Sequence, residues 1–188
     1  MSRLLRAAGY SVETHASATE FLAANRPFAG CVVLDVGLPG MSGLDLQARL
    51  MDYPDAMPIV FVTGRGDIPM SVRAILSGAV DFLTKPVETE SLLAAVSRAV
   101  VRDAETRRKR ERLQATQRRY EQLTPREREV FGHLISGQLN KQVAYDLGTA
   151  ERTIKAHRHN LMEKLGAGSM ADLVRLAGEL NIPPIKGE

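Results

Sequence analysis

The first hundred residues alternate between two hydrophobic periodicities, and this alternation constrains the fold more than any other feature. Short apolar runs rich in β-branched residues occupy positions 10–14, 31–34, 59–62 and 80–83, and segments with helical spacing separate them. Ser17 and Ser42 each stand three residues before an acid, which is the spacing of a helix-capping box. Alternating strands and helices predict an α/β domain with a parallel sheet and helices on both faces.

The chain opens on a helix where such a domain normally opens on a strand. Residues 2–9, SRLLRAAG, have the leucine spacing and the terminal glycine of a helix's last turns. The run CVVL at positions 31–34 then ends on one acid, Asp35, followed by a glycine-rich turn. Open α/β sheets place their chemistry at the carboxyl ends of buried strands, so Asp35 is the first candidate site residue.

The positive charge is concentrated in the middle of the chain. Residues 101–123 contain eight basic and four acidic side chains and no Pro or Gly, so we predict a basic helical linker there. It separates a domain over residues 1–100 from a second over residues 124–188. Such a segment favours a nucleic-acid backbone as partner, and a solvated arginine-rich helix explains it equally well.

Hydropathy and cysteine content narrow the class of protein. No apolar stretch approaches the roughly 20 residues of a membrane span, and the N-terminus lacks the apolar core of a signal peptide. We therefore expect a cytoplasmic protein without membrane contact. The one cysteine, Cys31, lies inside an apolar run and is interpreted as a buried, inert thiol.

Residues 124–188 predict an all-α domain of four short helices. Thr124 and Glu127 form a capping box around Pro125, and Asn140 is the expected cap of a second helix. The third helix runs from about residue 151 to 165, and Ser169 caps the fourth. Two short helices joined by a tight glycine turn predict a helix-turn-helix.

The third helix has the pattern of a DNA-reading helix. Its apolar residues face the core, whereas Lys155, Ala156 and His159 lie on the opposite face near the N-terminus and suit the major groove. Flanking cations are better placed for phosphates, which fix register without reading sequence. A solvated polar face is the alternative. The predicted DNA contacts are Lys141, Arg152, Thr153, Lys155, Arg158, His159 and Lys164.

This domain resembles the LuxR-type helix-turn-helix family. The resemblance rests on LTPREREV, on the segment NKQVAYDL and on RTIKAHRHNLMEKL. One departure is Ala150, where the family usually has a capping serine, and loss of that cap costs about 1 kcal/mol. Thr149 or Glu151 are the residues that could compensate.

The first hundred residues resemble the receiver domain of bacterial response regulators, and the whole chain resembles the FixJ type. LDVGLPGMSG, FVTGRGD and DFLTKPV stand in the family's order and approximate spacing. The resemblance implies that Asp35 accepts a phosphoryl group from a sensor histidine kinase, and that Thr63, Phe82 and Lys85 sense the phosphate. It also implies a cis bond before Pro86. Considered separately, each of the three sensing residues has a purely structural interpretation. Thr63 is then a threonine at a strand end, Phe82 a core phenylalanine and Lys85 a surface lysine.

The metal site that the resemblance implies is incomplete. Receivers hold Mg²⁺ with the phosphoacceptor, here Asp35, with a backbone carbonyl, here that of Gly37, and with an acidic pair at the end of the first strand. That strand and its acidic pair are absent from this chain, and Asp52, Asp55 and Asp67 do not replace them. We therefore expect Mg²⁺-dependent phosphorylation of this chain to be weak or absent.

Three explanations of the missing strand remain open. Met1 is an internal start and the natural protein is longer, or the chain is a truncation with a defective receiver, or a partner chain supplies a strand. The first is favoured because the downstream receiver residues are intact. In the family's strand order the missing strand lies between the runs at residues 10–14 and 31–34, so its absence leaves backbone groups unpaired.

The sequence thus predicts a non-enzymatic response regulator and transcription factor controlled by phosphorylation of Asp35. Its partners are double-stranded DNA, the kinase, and a second copy bound through the fourth-helix/fifth-strand face, around residues 70–76 and Phe82. A ligand-responsive or phosphorylation-independent LuxR-type factor is the alternative, disfavoured by 5% aromatic content. An aspartyl-phosphate phosphatase would need an acid where Gly37 stands.

Overall fold

The computed structural model describes residues 1–24, 29–53, 56–64 and 66–185. The chain divides into two compact units, Met1–Arg108 and Lys109–Glu188. The elements, in chain order, are α1 (Ser2–Ala7), α2 (Ala18–Ala23), β1 (Val32–Leu34), α3 (Gly43–Met51), β2 (Ile59–Thr63), α4 (Ile68–Leu76), β3 (Asp81–Thr84), α5 (Thr89–Glu121), α6 (Pro125–Ile135), α7 (Asn140–Asp146), α8 (Glu151–Leu165) and α9 (Met170–Glu179).

The first unit contains a parallel sheet in the order β1-β2-β3. Because successive side chains of a strand point to opposite faces, Val60 and Val62 of β2 pack with α1 and α5, whereas Ile59 and Phe61 pack with α2, α3 and α4. All five residues of β2 are buried, as expected for a central parallel strand. The predicted parallel sheet with helices on both faces is confirmed.

The run at residues 10–14 does not form the predicted strand. It has no regular structure, and within the described residues β2 is the only strand that pairs with β1. The physical reason is that no strand among the described residues lies beside this segment to share its backbone hydrogen bonds. Tyr10 and Val12 instead pack against the apolar cluster beneath α1 and α5.

Helix α5 is 33 residues long and includes most of the segment predicted as a helical linker. The division between the two units falls inside it. Asp103, which is 6% exposed, accepts a hydrogen bond of 2.9 Å from the Gly30 amide and forms an ion pair of 3.0 Å with Arg107. Burial, together with the charge of Asp103, raises the pKa of the nearby Cys31 thiol to about 11. Cys31 is half-buried and not fully buried as predicted, but its thiol is protonated at neutral pH, as expected for an inert cysteine.

The second unit packs α6 to α9 around one apolar core that includes Phe131, Ile154 and Leu161. Thr124 and Glu127 form the predicted capping box at the start of α6. The predicted cap of α7 is wrong, because the helix begins at Asn140 and the Gln142 side chain accepts from the Leu139 amide at 2.8 Å. The Asn140 side chain extends instead toward α8.

Candidate functional site

Asp35 lies directly after β1, with its carboxylate between two donors from other parts of the unit. One oxygen, Oδ1, accepts a hydrogen bond from the Gly37 amide at 3.1 Å. The other, Oδ2, accepts one from the Lys85 ammonium at 2.6 Å. Lys85 follows the last residue of β3, and the Lys85–Pro86 peptide bond is cis. Because the strands are parallel, their carboxyl ends bring together residues 50 positions apart.

Thr63 ends the central strand β2 and is the third member of the site. It is 2% exposed, and its side chain donates a hydrogen bond to the Asp35 carboxylate. Partial burial alone would raise the pKa of Asp35. The hydrogen bond from Lys85, with smaller contributions from the Gly37 amide, the Lys85 charge and Thr63, holds that pKa below its ordinary value. Asp35 is therefore ionised at neutral pH, as a carboxylate nucleophile must be.

Phe82 lies next to this site on the α2, α3 and α4 face of the sheet. It is half-buried, its ring centroid is 5.9 Å from that of Phe61, and it packs against Gly66. A Cβ on Gly66 would come within 2.8 Å of the Phe82 ring and 3.2 Å of the Thr63 methyl group. Glycine at position 66 thus leaves room for the aromatic ring beside Thr63.

Gly43 fixes the backbone that carries Asp35. A Cβ at position 43 would lie 2.4 Å from the Asp35 carbonyl oxygen, and the Gly43 amide donates to the Val36 carbonyl at 2.9 Å. The first turn of α3 therefore packs directly on the Asp35–Val36 backbone. In the sequence, Gly43 belongs to the glycine-rich turn after Asp35 and Gly66 to the FVTGRGD motif, and nothing there shows which distant group either glycine approaches.

In the second unit, α8 presents one polar face to solvent. Ile154, Leu161 and Leu165 are buried in the core. The opposite face is exposed and includes most of the predicted DNA contacts on this helix: Arg152, Thr153, Lys155 and His159. Lys141, in the first turn of α7, is also exposed. This exposed face has the size and polarity of a helix that enters the major groove.

Three of the predicted DNA contacts have partners within the unit. Lys155 forms an exposed ion pair of 2.9 Å with Glu151, one turn earlier. Arg158 is half-buried and donates to the Asn140 side chain at 3.4 Å, which links α8 to α7. Lys164 donates to Glu127 of α6 at 2.7 Å. Lys164 therefore lies away from the other predicted contacts, at the end of α8 that packs against α6.

The two units match two known families. Residues 1–97 match the response regulator receiver domain, and residues 121–177 match the bacterial regulatory proteins of the LuxR family. The transcriptional regulatory protein FixJ of Azorhizobium caulinodans is 40% identical over 182 residues, which cover 96% of this chain and 86% of FixJ. The chain belongs to the FixJ-type response regulators. It is a response regulator with a receiver domain and a LuxR-type DNA-binding domain.

Other FixJ-type relatives agree with this assignment. The response regulator protein TodT of Pseudomonas putida is 45% identical over 181 residues, covering 96% of this chain and 80% of TodT. Among solved structures, the response regulator StyR is 47% identical and has a TM-score of 0.85 over 94% of this chain and 90% of that structure. No helix in the described ranges is long and apolar enough to cross a bilayer.

The described residues do not fit the complete Mg²⁺ site of a receiver. Asp35 and the Gly37 carbonyl are present, but the described part of the chain has no group of three or more His, Cys, Asp or Glu side chains placed to hold a metal ion. Asp52 ends α3, and Asp67 caps α4 by accepting from the Met70 amide at 2.7 Å. Asp55 lies outside the described residues.

Two further residues of the DNA-binding domain were missed by the sequence analysis. Tyr145, on α7, is 88% exposed, although the pattern of α7 gave no reason to distinguish it from a core tyrosine. Glu127 was interpreted only as a capping residue, but it is 3% exposed and also binds Lys164. The exposure of Tyr145 and the contact of Glu127 with Lys164 both depend on how the helices pack, which local spacing does not encode.

Proposed function

We propose that Asp35 is the phosphoacceptor through which a sensor histidine kinase controls this transcription regulator. The observation that carries the proposal is the convergence of Thr63 and Lys85 on one ionised carboxylate at the strand ends. In the proposed step, the bond between phosphorus and the histidine nitrogen of the kinase breaks and a bond to an Asp35 oxygen forms. The product is an aspartyl phosphate, a covalent intermediate that water can hydrolyse.

Lys85 and Thr63 have separate roles in the proposal. The phosphoryl group adds a charge of nearly −2, and the Lys85 ammonium, already in contact with Asp35, neutralises part of it. The Thr63 hydroxyl moves its hydrogen bond from the carboxylate to a phosphoryl oxygen. Phe82, which packs beside Thr63, then changes position and reports the change to α4. Mg²⁺, which the receiver family uses, would need ligands beyond the described set.

The surface of α4 supports a homodimer of the activated form through the fourth-helix/fifth-strand face. In this structure that face is formed by α4 and by β3, the strand that carries Phe82. Four apolar side chains on this helix are strongly exposed: Ile68 (79%), Val72 (50%), Ile75 (45%) and Leu76 (83%). Their spacing of four, three and one residues places them along one side of the helix. Exposed apolar stripes of this kind mark interaction surfaces, and burial of this stripe would stabilise a two-fold dimer on DNA.

In the proposed output step, the exposed face of α8 reads base edges in double-stranded DNA. Lys155 and His159 contact bases, and Lys141, Arg152, Thr153 and Arg158 contact phosphates or fix register. The proposed site of action is the cytoplasm, where the DNA and the kinase's phosphorylated domain meet. No catalytic residue is proposed, and Asp35 serves as the phosphoacceptor.

The test is phosphorylation of the intact chain by a small phosphodonor, with and without Mg²⁺, read as a mass increase. Because the described residues offer no acidic pair for Mg²⁺, we expect a low yield, with the phosphoryl group that is taken up on the peptide that carries Asp35, and Asp35→Asn should abolish it. Asp52→Asn, an exposed acid at the end of α3, is the matched control and should leave it unchanged. Phosphorylation elsewhere would contradict the proposal. Stoichiometric DNA binding with no phosphorylation under any condition would favour the phosphorylation-independent alternative.

A further inference from the structure

Two cations hold the C-terminal end of α8, and both contacts lie at the opposite end of the helix from Lys155. The Lys164 ammonium donates to both carboxylate oxygens of Glu127, at 2.7 and 3.0 Å. The Arg119 guanidinium donates to the Leu165 carbonyl at 3.4 Å. It also lies beside Gly166, 3.1 Å from where a Cβ would stand. One contact thus fixes the side chain of the next-to-last residue of the helix, and the other fixes the carbonyl of its last residue.

Both contacts come from one corner of the domain, residues 119–128, where α5 ends and α6 begins. This α5–α6 corner is built into the core. Glu127, whose side chain is 4% exposed, accepts from the Thr124 amide at 2.8 Å, and the Tyr120 ring packs edge-on against Phe131 at 5.6 Å. The Arg128 guanidinium lies 5.4 Å above the Tyr120 ring. These contacts fix the α5–α6 corner in place, so a side chain bound to it is held in a defined position.

The carboxylate of Glu127 is kept charged by this arrangement. Its burial would raise its pKa, but the hydrogen bond from Lys164 and those from Thr124 lower the pKa below its ordinary value. A buried carboxylate that loses its cation is strongly disfavoured. The Lys164 side chain is 35% exposed, but its partner Glu127 is buried, so the ion pair holds the Lys164 ammonium at the α5–α6 corner.

The N-terminal end of α8 has weaker support. Ala150, its N-cap residue, makes no side-chain cap, and the Glu151–Lys155 ion pair is exposed to solvent. A helix of 15 residues is about 22 Å long, so a tilt of about 5° at one end moves the other end by about 2 Å. Hydrogen bonds to base edges do not tolerate a displacement of that size.

We infer that Arg119 and the Lys164–Glu127 pair are positioning residues for sequence recognition by α8. They hold the C-terminal end of the helix against the α5–α6 corner and so set the angle at which Lys155 and His159 meet the bases. Neither cation contacts DNA itself. The inference rests on the proposed DNA-reading face of α8.

The first experiment compares two neighbouring arginines of α5 in the intact chain. The probes are a duplex selected by the wild-type chain from a randomised library and a shuffled duplex of the same composition. Arg119→Ala should reduce the ratio of the two affinities by about two- to fivefold, the contribution of a cation at a helix C-terminus. Arg119→Lys, which keeps the charge, should restore most of it. Arg118→Ala is the control, because among the described residues Arg118 donates to the Gln114 carbonyl of its own helix and to no residue of α8.

The second experiment separates positioning by Lys164 from a phosphate contact. A phosphate contact predicts that Lys164→Met makes the slope of log affinity against log salt less steep by about 0.9 and leaves the affinity ratio unchanged. Positioning predicts the reverse, a lower ratio at an unchanged slope. Glu127→Gln leaves the Lys164 ammonium without its partner. If the pair positions α8, this variant should lower the affinity ratio as Lys164→Met does. All variants are compared at a temperature where circular dichroism shows full helicity.

If Arg119→Ala matches Arg118→Ala, or if Lys164→Met changes only the salt slope, the positioning roles are wrong. If the wild-type chain selects no sequence from the library either with or without the small phosphodonor, the proposed reading face itself is wrong. A wild-type chain that discriminates, with variants that all discriminate equally, contradicts this inference alone.

Discussion

The two domains build their sites in different ways. The predicted DNA contacts come mostly from one helix, α8, and spacing along 15 residues places them on one face. The phosphoacceptor site is assembled from the ends of three strands, with Asp35, Thr63 and Lys85 far apart in the chain. A site on one helix can be inferred from local periodicity, whereas an assembled site requires the strand order to be known.

This difference also affects how substitutions propagate. An assembled site depends on backbone contacts between separate segments, so a residue with no functional group can disrupt it. A helical site depends on its own side chains and on the contacts that orient the helix, so most single changes there should be smaller. Four substitutions test this comparison.

The largest effect is expected for Gly43→Ala. The added Cβ would lie 2.4 Å from the Asp35 carbonyl oxygen, so the backbone of α3 or β1 must shift. Overpacking of this kind costs about 3 kcal/mol, which should lower receiver stability and also impair phosphorylation of Asp35. Hydrogen exchange should show lost protection in β1 and α3 and unchanged protection in α6 to α9.

Gly37→Ala is the matched control for this test, since its Cβ would meet the Asp35 carboxylate at an ordinary contact distance of 3.9 Å. Its receiver should remain within about 1 kcal/mol of the wild-type stability. If both variants behave alike, the close packing of Gly43 does not position Asp35.

The second-largest effect is expected for Lys155→Ala, which should change the specificity of DNA binding and not the stability of the domain. A donor that contacts a base edge contributes about 2 kcal/mol of discrimination, so the affinity ratio between the selected and shuffled duplexes should fall by more than tenfold. The Glu151 ion pair that it also breaks is exposed and contributes at most about 0.5 kcal/mol to folding. A large loss of thermal stability with unchanged discrimination would contradict the DNA-reading role.

The third effect is pH-dependent and concerns Glu127→Gln. The pKa of Glu127 is lower in the folded than in the unfolded chain, so its carboxylate stabilises the folded state above the unfolded pKa, near 4.5. That contribution disappears as pH falls through the folded pKa. At pH 7 the variant should be less stable by about 1.5 kcal/mol, and the difference should vanish in acid. Denaturant unfolding across pH measures it, and a difference that persists unchanged in acid would exclude the carboxylate as its cause.

The sequence allowed much of this fold to be predicted, and the failures have specific causes. Capping residues and hydrophobic spacing located α3, α6, α8 and α9 because these signals are local. The strand expected at residues 10–14 failed because a strand depends on a neighbour that local propensity cannot supply. Asn140 was misassigned as a cap because the helix begins one residue earlier than predicted, with Leu139 at the N-cap position and the Leu139 amide bound by the Gln142 side chain.

The site residues that local signals indicate were predicted, whereas those that depend on packing between distant segments were not. The exposed face of α8 agrees with its periodicity, but the commitment of Lys164 to Glu127 depends on the packing of α8 against α6. In the receiver, Asp35 stood out as an acid at a strand end, whereas Thr63 and Lys85 were connected to it only through resemblance. Gly43 and Gly66 escaped notice because their role is to leave space for atoms distant in sequence.

The smallest effect is expected for Ala150→Ser at the N-terminus of α8. The N-cap backbone there, with φ −77° and ψ 145°, is close to that of Thr124, with φ −64° and ψ 159°, whose side chain does cap α6. The Thr153 amide, three residues on, now donates to the Ala150 carbonyl at 2.9 Å, so a serine hydroxyl would share this donor and should stabilise the domain by about 0.5 kcal/mol. Thermal unfolding of the intact chain measures the gain, and Ala150→Gly, which has no hydroxyl, is the control. A serine variant no more stable than the glycine variant would mean that the hydroxyl does not reach the amide. A confirmed gain would show that the helix that carries the predicted DNA contacts can be stabilised by one local change at its N-cap.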